Sequence, residues 1–346
     1  MSDSRQRLIN ALKGGQVDRP PFICPGGMMN MVTTDILRSL DLTWSQVYGD
    51  PARMAGLALR VSELIGIENV GVPFCMTIEA EALGAEVEMD SIYSEPRVAA
   101  YPLLKLKDWH LLREFDLTNG RSAVMLQAVQ ELHKLNHEKP IIVTLTGPIS
   151  LATSLLEPLT FFRGMKTETA EVHAFLGFLS HTLIRFAKAL AAAGADVLVI
   201  ADPSASGEIL GPTFFSDFAL PYLNEITEKT SDSFQGSMLH ICGRLNSIFA
   251  QIDQLSSSAF SIDSATSITA MRSAVPGKAI VGNVSTHLLQ NADPEKVKKA
   301  AFICLSHGVT VLAPACGISM STPVPNLQAM AAAAREWPDI KNTDRS

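Results

Sequence analysis

The sequence predicts an α/β fold in which eight parallel strands alternate with helices and close into a (β/α)8, or TIM, barrel. Short apolar runs rich in β-branched residues alternate with longer helical patterns along the chain. There are eight such runs, and from the fifth onward they recur at about 20 to 30 residues, which leaves room for one helix per connection. Periodicity alone does not separate this barrel from a doubly wound open sheet with the same number of strands.

The elements follow in order from these runs. The eight predicted strands are PPFIC (20–24), ENVGV (68–72), PIIVTLT (140–146), ADVLVIA (195–201), SMLHIC (237–242), AFSID (259–263), KAIVGN (278–283) and VTVLAPA (309–315). An amphipathic helix is predicted before the first strand, as an N-terminal extension. Alternation in GAEVEMDSIYSEPRV (84–98) predicts a small hairpin inserted between strands two and three, and AVMLQAVQELHKL predicts a helix after it. We interpret these segments as insertions into one barrel and not as a second domain, so residues 1–346 are expected to form a single domain.

Composition restricts the classes of function. Of the 346 residues, 47% are hydrophobic and 18% are charged, which is typical of a well-packed globular protein. The net charge of −7 is spread along the chain without a basic cluster, so nucleic acid is not an expected partner. No uninterrupted apolar stretch reaches the roughly 18 residues of a membrane span, and the charged N-terminus lacks a signal-peptide core, so we expect a cytoplasmic protein. The oligomeric state is left open.

Polar and thiol groups collect at the ends of the predicted strands, where a barrel of this kind builds its active site. Each taken alone is weak support, because polar residues commonly mark the end of a strand. The residues at these ends are Cys24, Thr146 with Gly147, Asp202, His240 with Cys242, Asp263, Asn283 and Cys316.

The pair His240 and Cys242 is more informative. Residues two apart on a strand project from the same face, and imidazole nitrogen and thiolate sulfur are preferred ligands of zinc. Cys316, at the end of the eighth strand, could complete a three-ligand site with an open fourth position, which is the catalytic arrangement. Buried cysteines are more often packing residues than ligands, so the residues alone leave both interpretations open.

Other polar residues carry weaker signals. Glu79 and Glu81 have same-face spacing and could serve as ligands or acid–base groups, or form a solvated loop. Packing roles are expected for the remaining cysteines, and His287 and His307 show no partner in the sequence. The packing cysteines are Cys24, Cys75 and Cys304. The segment GADVLVIADPSASG lacks the spacing of a nucleotide-binding loop.

Several stretches together resemble the uroporphyrinogen decarboxylase superfamily, whose members are (β/α)8 barrels. They are RQRLINALKGGQVDRPPF, EALGAEV, TLTGPISLA, HICG, GNV and PACGI, and they span almost the whole chain. The sequence departs from the decarboxylases at their chemical groups. Their arginine-rich segment after the first strand is replaced by ICPGGMMN, their catalytic aspartate by Cys75, and the histidine of their GHGI segment by Cys316.

At the same positions the chain resembles the other branch of that superfamily, the methylcobalamin:coenzyme M methyltransferases. These enzymes are marked by HxC and a much later cysteine as zinc ligands, and His240, Cys242 and Cys316 carry that pattern. The resemblance implies a zinc-dependent enzyme that moves a methyl group from a methylated corrinoid, on its carrier protein or free, to a thiol such as coenzyme M.

The resemblance also suggests roles for the residues around this site. Asp263, Asp202 and Glu79 are candidates for the fourth zinc position, and Asp202 and Asn283 for contacts with the cofactor. Glu79, Glu81 and Arg244 are candidates for substrate contacts; Arg244 is suited to a sulfonate, or is a surface arginine at the start of a helix. The alternatives are a corrinoid-linked methyltransferase with another acceptor or donor, a metal-free tetrapyrrole decarboxylase, and a corrinoid-binding module without activity.

Overall fold

A computed structural model describes residues 3–136 and 138–343 and contains the predicted alternation of strands and helices. In these ranges, seven parallel strands form one sheet in the order β1-β4-β5-β6-β7-β8-β9, and β2 and β3 form a separate antiparallel hairpin. The strands are β1 (Val70–Val72), β2 (Glu86–Glu88), β3 (Arg97–Ala100), β4 (Ile141–Thr146), β5 (Val197–Ala201), β6 (Gly236–Ile241), β7 (Ala259–Ile262), β8 (Ala279–Val284) and β9 (Val311–Pro314).

Helices connect the strands and surround the sheet. The α-helices are α1 (Ser4–Leu12), α2 (Thr34–Ser39), α3 (Trp44–Gly49), α4 (Pro51–Ile65), α5 (Ile78–Ala82), α6 (Gly120–Leu135), α7 (Pro148–Leu155), α8 (Pro158–Thr167), α9 (Thr169–Ala192), α10 (Gly211–Phe214), α11 (Leu220–Thr230), α12 (Phe249–Ile252), α13 (Ile268–Ala274), α14 (Thr286–Asn291), α15 (Pro294–Ser306) and α16 (Val324–Thr343). A π-helical turn, Phe215–Ala219, joins α10 to α11, and short 3₁₀ turns cover Leu106–Leu111, Pro203–Ala205, Ser231–Ser233 and Asn246–Ile248.

The segment predicted as the first strand closes the barrel without forming a regular strand. Phe22 forms a parallel bridge with Leu312 of β9, and on the other side its carbonyl accepts a hydrogen bond from the backbone N–H of Glu68. The Asn69 side chain then replaces the backbone ladder, because its Oδ1 accepts from Cys24 N at 2.8 Å and its Nδ2 donates to Cys24 O at 3.0 Å. The prediction of an eight-membered barrel is confirmed. Side-chain hydrogen bonds replace part of the backbone pairing between its first and second members.

The interior of the barrel is a small apolar cluster of alternate strand residues. Its members are Ile23, Ile142, Val197, Val199, Met238, Ala259, Ala279, Val281, Val311 and Ala313. Leu8, Ala11 and Leu12 of α1 pack against this cluster and close the end of the barrel where the strands begin. Because residues two apart on a strand share a face, the alternation that buries Met238 and Ala259 also directs His240 and Ser261 into the barrel.

The insertion between the first two full strands is the predicted hairpin. β2 pairs with β3 in antiparallel register, with Val87 opposite Val98.

Of the helices, α9 has the length and apolar composition of a membrane-crossing helix, but 56% of its most apolar stretch is buried inside the protein. It packs against α7, α8 and α11 and ends before Gly194, whose φ of 113° is the left-handed conformation expected at a helix stop.

Candidate metal centre

His240 lies inside the barrel near the end of β6 and is fully buried. Its register partner on β7 is Ser261, whose Oγ lies 3.1 Å from His240 Nδ1. When Nδ1–H donates to this hydroxyl, Nε2 is left on the opposite edge of the ring, where it can bind a metal. Cys242 Sγ lies 3.4 Å from that Nε2. The strand register therefore fixes both the orientation of the ring and the nitrogen that is free to bind a ligand.

Two thiols complete the cluster. Cys316 follows β9, and its Sγ lies 2.6 Å from Cys242 Sγ, well beyond the roughly 2.05 Å of a disulfide, so both are free thiols. One ligand atom each from His240, Cys242 and Cys316 lie within 4.8 Å of one another, and both cysteines are half-buried. Ligand atoms that share a tetrahedral zinc ion are about 3.3 to 3.8 Å apart, so the donor set and the 3.4 Å between His240 Nε2 and Cys242 Sγ suit zinc, while the two sulfurs would have to move about 1 Å apart to share the ion.

The two thiols differ in acidity because they share a proton. The hydrogen bond between the two sulfurs, together with the nearby His240, lowers the pKa of Cys316 to about 5. The pKa of Cys242 is raised, first by the same bond to Cys316 and then by burial and the charge of Asp263. The lowered pKa of Cys316 favours its thiolate, which is the form of cysteine that binds metals.

The loop after Cys242 is held by residues that the sequence did not single out. Gly243 has a φ of 78°, and a Cβ there would lie 2.7 Å from Glu208 Oε2, which accepts a hydrogen bond from Arg244 N. Thr266 Oγ1 donates to Gly243 O at 2.9 Å and accepts from Leu245 N at 3.1 Å. These contacts fix the turn that presents Cys242. The side chain of Arg244 itself is exposed beside the mouth.

Gly317 fixes the loop that carries Cys316. A Cβ at this position would lie 2.4 Å from the carbonyl oxygen of Met28, so only glycine allows the two loops to meet. Met28 belongs to the segment that follows the first barrel position, in the stretch where the decarboxylases carry arginines. Close backbone packing therefore places Cys316 against this segment.

Asp263 and Asn283 lie beside the cluster. Asp263 follows β7 and is half-buried, and its carboxylate accepts hydrogen bonds from Ala265 N at 2.8 Å and Ser264 Oγ at 3.3 Å. It is near enough to Cys242 for its charge to raise the pKa of that thiol, but it is outside the three-residue ligand group. Asn283 Nδ2 donates to the carbonyls of Asp263 and Thr266, which ties β8 to the loop of β7.

Asp202 and Glu79 are buried carboxyls whose oxygens are occupied by neighbouring donors. Asp202 accepts from Ile149 N, Ser150 N and Ser150 Oγ, so it caps α7, and burial raises its pKa to about 6. Glu79 accepts from both the N–H and the hydroxyl of Thr146, and burial raises its pKa as well. Glu79 thus lies inside the mouth rather than on a solvated loop.

A second polar cluster surrounds Cys75. Arg121 of α6 is buried, pairs with Glu81 at 2.5 Å and donates to Thr77 O at 3.1 Å and Thr77 Oγ1 at 3.0 Å. Its guanidinium also lies 3.7 Å from Cys75 Sγ and 5.0 Å from the ring centre of Tyr48. Glu81 and Arg121 border a cavity of about 660 Å³ on the flank of the barrel. Arg121, in the helix after the insertion, was missed by sequence reasoning.

The remaining sequence candidates lie away from the cluster of donors. Cys24 and Cys304 are buried, and burial raises the pKa of both thiols, that of Cys24 to about 12. His287 is exposed and lies 3.2 Å from Asn291 Nδ2 through its Nδ1. His307 is exposed at the end of α15.

Glu95, in the loop of the hairpin, is a further residue that sequence reasoning missed. Asn30 Nδ2 donates to its Oε1 at 2.6 Å. Burial raises the pKa of Glu95 to about 8, and the charge of Cys316 adds to the increase. The insertion therefore brings a carboxyl to the Cys316 side of the metal-binding cluster.

Comparison with known proteins agrees with this architecture. The uroporphyrinogen decarboxylase (URO-D) family matches residues 3–337. The methylcobamide:CoM methyltransferase MtbA of Methanosarcina acetivorans is 32% identical over 335 residues, which are 96% of this chain and 98% of that protein. The methylcobamide:CoM methyltransferase MtaA of Methanosarcina barkeri is 31% identical over 337 residues, with 96% and 98% covered.

Among solved structures, a methyltransferase from Methanosarcina mazei superposes with a TM-score of 0.88 at 30% identity, covering 97% of this chain and 99% of that one. The resemblance inferred from the sequence motifs is therefore confirmed. The chain belongs to the uroporphyrinogen decarboxylase family, and within it to the methyltransferases.

Proposed function

We propose that this enzyme transfers a methyl group from a methylated corrinoid to a thiol held by zinc at His240, Cys242 and Cys316. The observation that carries the proposal is the cluster of one imidazole nitrogen and two sulfurs within 4.8 Å at the mouth of the barrel. The names of the curated relatives support coenzyme M as the acceptor and a methylated cobamide as the donor.

The charges of the ligands suit activation of a thiol. A metal-bound His240 would be a neutral imidazole, oriented by Ser261, and the two cysteines would bind as thiolates, so the protein donors would contribute two negative charges. Zinc bound there would remove the proton of an acceptor thiol and hold it as a thiolate. Two cysteinates cancel the charge of the divalent ion, so the acceptor sulfur retains electron density for attack.

The transfer itself is a displacement at carbon. The acceptor sulfur forms a bond to the methyl carbon as the carbon–cobalt bond of the donor breaks, and the bonding electron pair stays on cobalt. The products are a thioether and the reduced corrinoid. A corrinoid is too large to enter the barrel, so it docks over the mouth, together with its carrier protein when it is protein-bound.

We assign the neighbouring side chains according to their exposure. Asp263 is half-buried beside Cys242 and is the carboxylate best placed to approach the fourth zinc position in the absence of acceptor. Arg244, exposed next to Cys242, is suited to an anionic group of the acceptor. Three other polar side chains form hydrogen bonds within the protein: Glu79 with Thr146, Asp202 with α7, and Asn283 with the loop after β7. We therefore assign these three residues a structural role in maintaining the mouth of the barrel.

The experiment that tests this proposal begins with the metal. Elemental analysis of the purified protein should give about one zinc per chain, and Cys316→Ala should lose most of it. The matched control is Cys304→Ala, which removes a buried thiol that is outside the ligand group and should keep its zinc. No zinc in the native protein after supplementation would overturn the assignment.

The second stage follows the methyl group. Loss of methylcobalamin absorbance should depend on added thiol, on zinc and on Cys316, with coenzyme M tested first. Turnover with another acceptor, or loading of a corrinoid from a methylated substrate, would identify a different methyl transfer at the same site. Binding of corrinoid without turnover, or decarboxylation of a tetrapyrrole by chelator-treated protein, would reject the proposal.

A further inference from the structure

Met29 is a fully buried methionine whose sulfur contacts a polar group. The apolar core of the described residues consists of a large cluster and the small one inside the barrel, and Met29 belongs to neither. Met31, which is also fully buried, belongs to the large cluster. The thioether sulfur of Met29 instead lies 3.8 Å from Ser261 Oγ. It therefore faces the hydroxyl that orients His240.

The turn that carries Met29 is fixed in place. Met29 N donates to Gly26 O at 2.9 Å, which closes the turn, and Met29 O accepts a hydrogen bond from Cys24 Sγ at 3.1 Å. Gly26 has a φ of 89°, and a Cβ there would lie 2.6 Å from Thr144 Oγ1 of β4, so the turn packs closely against the barrel. The backbone of Met29 is thus held at both its N–H and its C=O, which defines the point from which its side chain reaches Ser261.

Two contacts of the Ser261 hydroxyl determine where the hydrogens lie. A thioether has no hydrogen to donate, so the hydroxyl is the donor in its contact with Met29. A hydroxyl has one hydrogen only, so its oxygen meets His240 Nδ1, 3.1 Å away, with a lone pair. Nδ1 then carries the hydrogen of that contact, which leaves Nε2, on the side of Cys242, as the nitrogen that can bind a metal.

We infer that Met29 is a positioning residue for the metal site: its sulfur accepts the Ser261 hydroxyl and so holds His240 in the form that carries hydrogen on Nδ1. The inference deepens the proposed function and rests on it for the identity of the metal. Met29, Ser261 and His240 are each at most 1% exposed, so bulk water is kept from the hydroxyl. Without the sulfur, the hydroxyl can turn and donate to Nδ1, and a hydrogen on Nε2 then competes with the metal.

The ring nitrogens of His240 provide a direct readout. In metal-free protein labelled with ¹⁵N at histidine, NMR distinguishes a ring nitrogen that carries hydrogen from one that does not. The spectrum is recorded at about pH 8, where imidazole side chains are ordinarily uncharged, and the signals of His240 are identified by their loss in His240→Gln. The wild type should carry hydrogen on Nδ1. This measurement needs neither zinc nor turnover.

The variants are Met29→Leu, which removes the sulfur at similar volume, and Met31→Leu as the matched control. In Met29→Leu, part of the hydrogen should move from Nδ1 to Nε2. Zinc affinity, measured by competition with a chromophoric chelator, should fall about three- to tenfold, the effect of one ordinary hydrogen bond. Met31→Leu also removes a buried sulfur but should keep the wild-type spectrum and affinity, because Met31 packs in the apolar core.

A double variant separates positioning from packing. Ser261→Ala removes the hydroxyl through which Met29 acts, so adding Met29→Leu to it should cause no further loss of zinc affinity. A methionine that only fills space would instead weaken binding by the same factor with or without the hydroxyl. Met29→Gln, whose amide oxygen is a stronger acceptor than a thioether, should keep the hydrogen on Nδ1.

The outcomes separate this inference from the proposed function. A bare Nδ1 in the wild type, a Met29→Leu variant that behaves like Met31→Leu, or equal losses with and without the Ser261 hydroxyl would overturn the role of Met29. Each would leave the proposed function standing. Wild-type protein that binds no zinc would overturn the proposed function, while the spectrum of the metal-free protein still decides the role of Met29. If Met29→Leu fails to fold, the wild-type spectrum and Met29→Gln provide the test.

Discussion

Cys242 and Cys316 are 74 positions apart in the chain, yet their sulfur atoms lie 2.6 Å apart at the mouth of the barrel. The contact between them lowers the pKa of Cys316 to about 5 and raises the pKa of Cys242. We therefore expect the pair, titrating as a unit, to carry a negative charge before any metal binds.

In protein stripped of metal, Cys316 should be alkylated rapidly by iodoacetamide at neutral pH, because the thiolate is the reactive form. The folded-state pKa is lowered, so reactivity should appear as the pH rises through about 5 and disappear below it. Peptide mass spectrometry gives the rate at each cysteine. Cys24, with a pKa of about 12 from burial, is the internal control and should stay unmodified. Equal rates at Cys24 and Cys316 would contradict the prediction.

Ser261→Ala should weaken zinc binding about 10- to 100-fold, because the ring of His240 loses the hydroxyl that orients its Nδ1 edge. Competition with a chromophoric chelator measures the affinity. Ser273→Ala, an exposed serine of α13, is the control. Ser261→Thr should recover part of the loss, since it restores the hydroxyl. Unchanged affinity in Ser261→Ala would show that packing alone orients His240.

Gly317→Ala should impair zinc binding without altering any donor atom. The new Cβ would lie 2.4 Å from Met28 O, so the loop of Cys316 has to move. We expect the affinity to fall at least tenfold, as for a ligand displaced from its site. Gly177→Ala in α9, where a Cβ meets nothing within 4 Å, is the matched control and should retain native affinity. A native affinity in Gly317→Ala would mean that the two loops separate freely.

Asp202→Asn should lower the free energy of unfolding by about 1 to 3 kcal/mol at neutral pH, because an amide supplies one acceptor oxygen where the carboxylate supplies two. The pH dependence should also differ. The pKa of Asp202 is raised from 3.8 to about 6 on folding, so the folded state binds more protons in that interval. Wild-type stability should therefore decline relative to the variant as the pH rises from about 4 to about 6.

Urea denaturation at a series of pH values provides this difference. Subtracting the variant from the wild type removes the contribution of the other carboxyls. A difference that is flat from pH 4 to pH 6 would show that Asp202 keeps the ordinary pKa of an exposed carboxyl.

Much of the fold was accessible from the sequence, because parallel strands buried on both faces form short apolar runs at a regular spacing. The first strand was the least regular, since side chains of Glu68 and Asn69 replace part of its ladder and a pattern of apolar residues does not reveal such substitution. The donors His240, Cys242 and Cys316 were found because their two-residue spacing and their positions at strand ends are local features.

The supporting residues were not accessible in the same way. Ser261 sits in the middle of an apolar strand, and its importance depends on its register opposite His240. Glu95 lies in a loop that alternation identified only as a hairpin, and its position follows from contacts with Asn30, 65 residues away. Such contacts depend on how distant segments pack, which single-chain periodicity does not encode.

Helix α1 gives the barrel a single opening. Leu8, Ala11 and Leu12 block the end where the strands begin, so both reactants must arrive and leave by the mouth that carries His240, Cys242 and Cys316. Under the proposed function, a corrinoid docked over that mouth blocks the only remaining entrance. The thiol must therefore bind before the corrinoid, and the thioether leaves only after the demethylated corrinoid has dissociated. The closed end of the barrel thus imposes a compulsory order of binding and release.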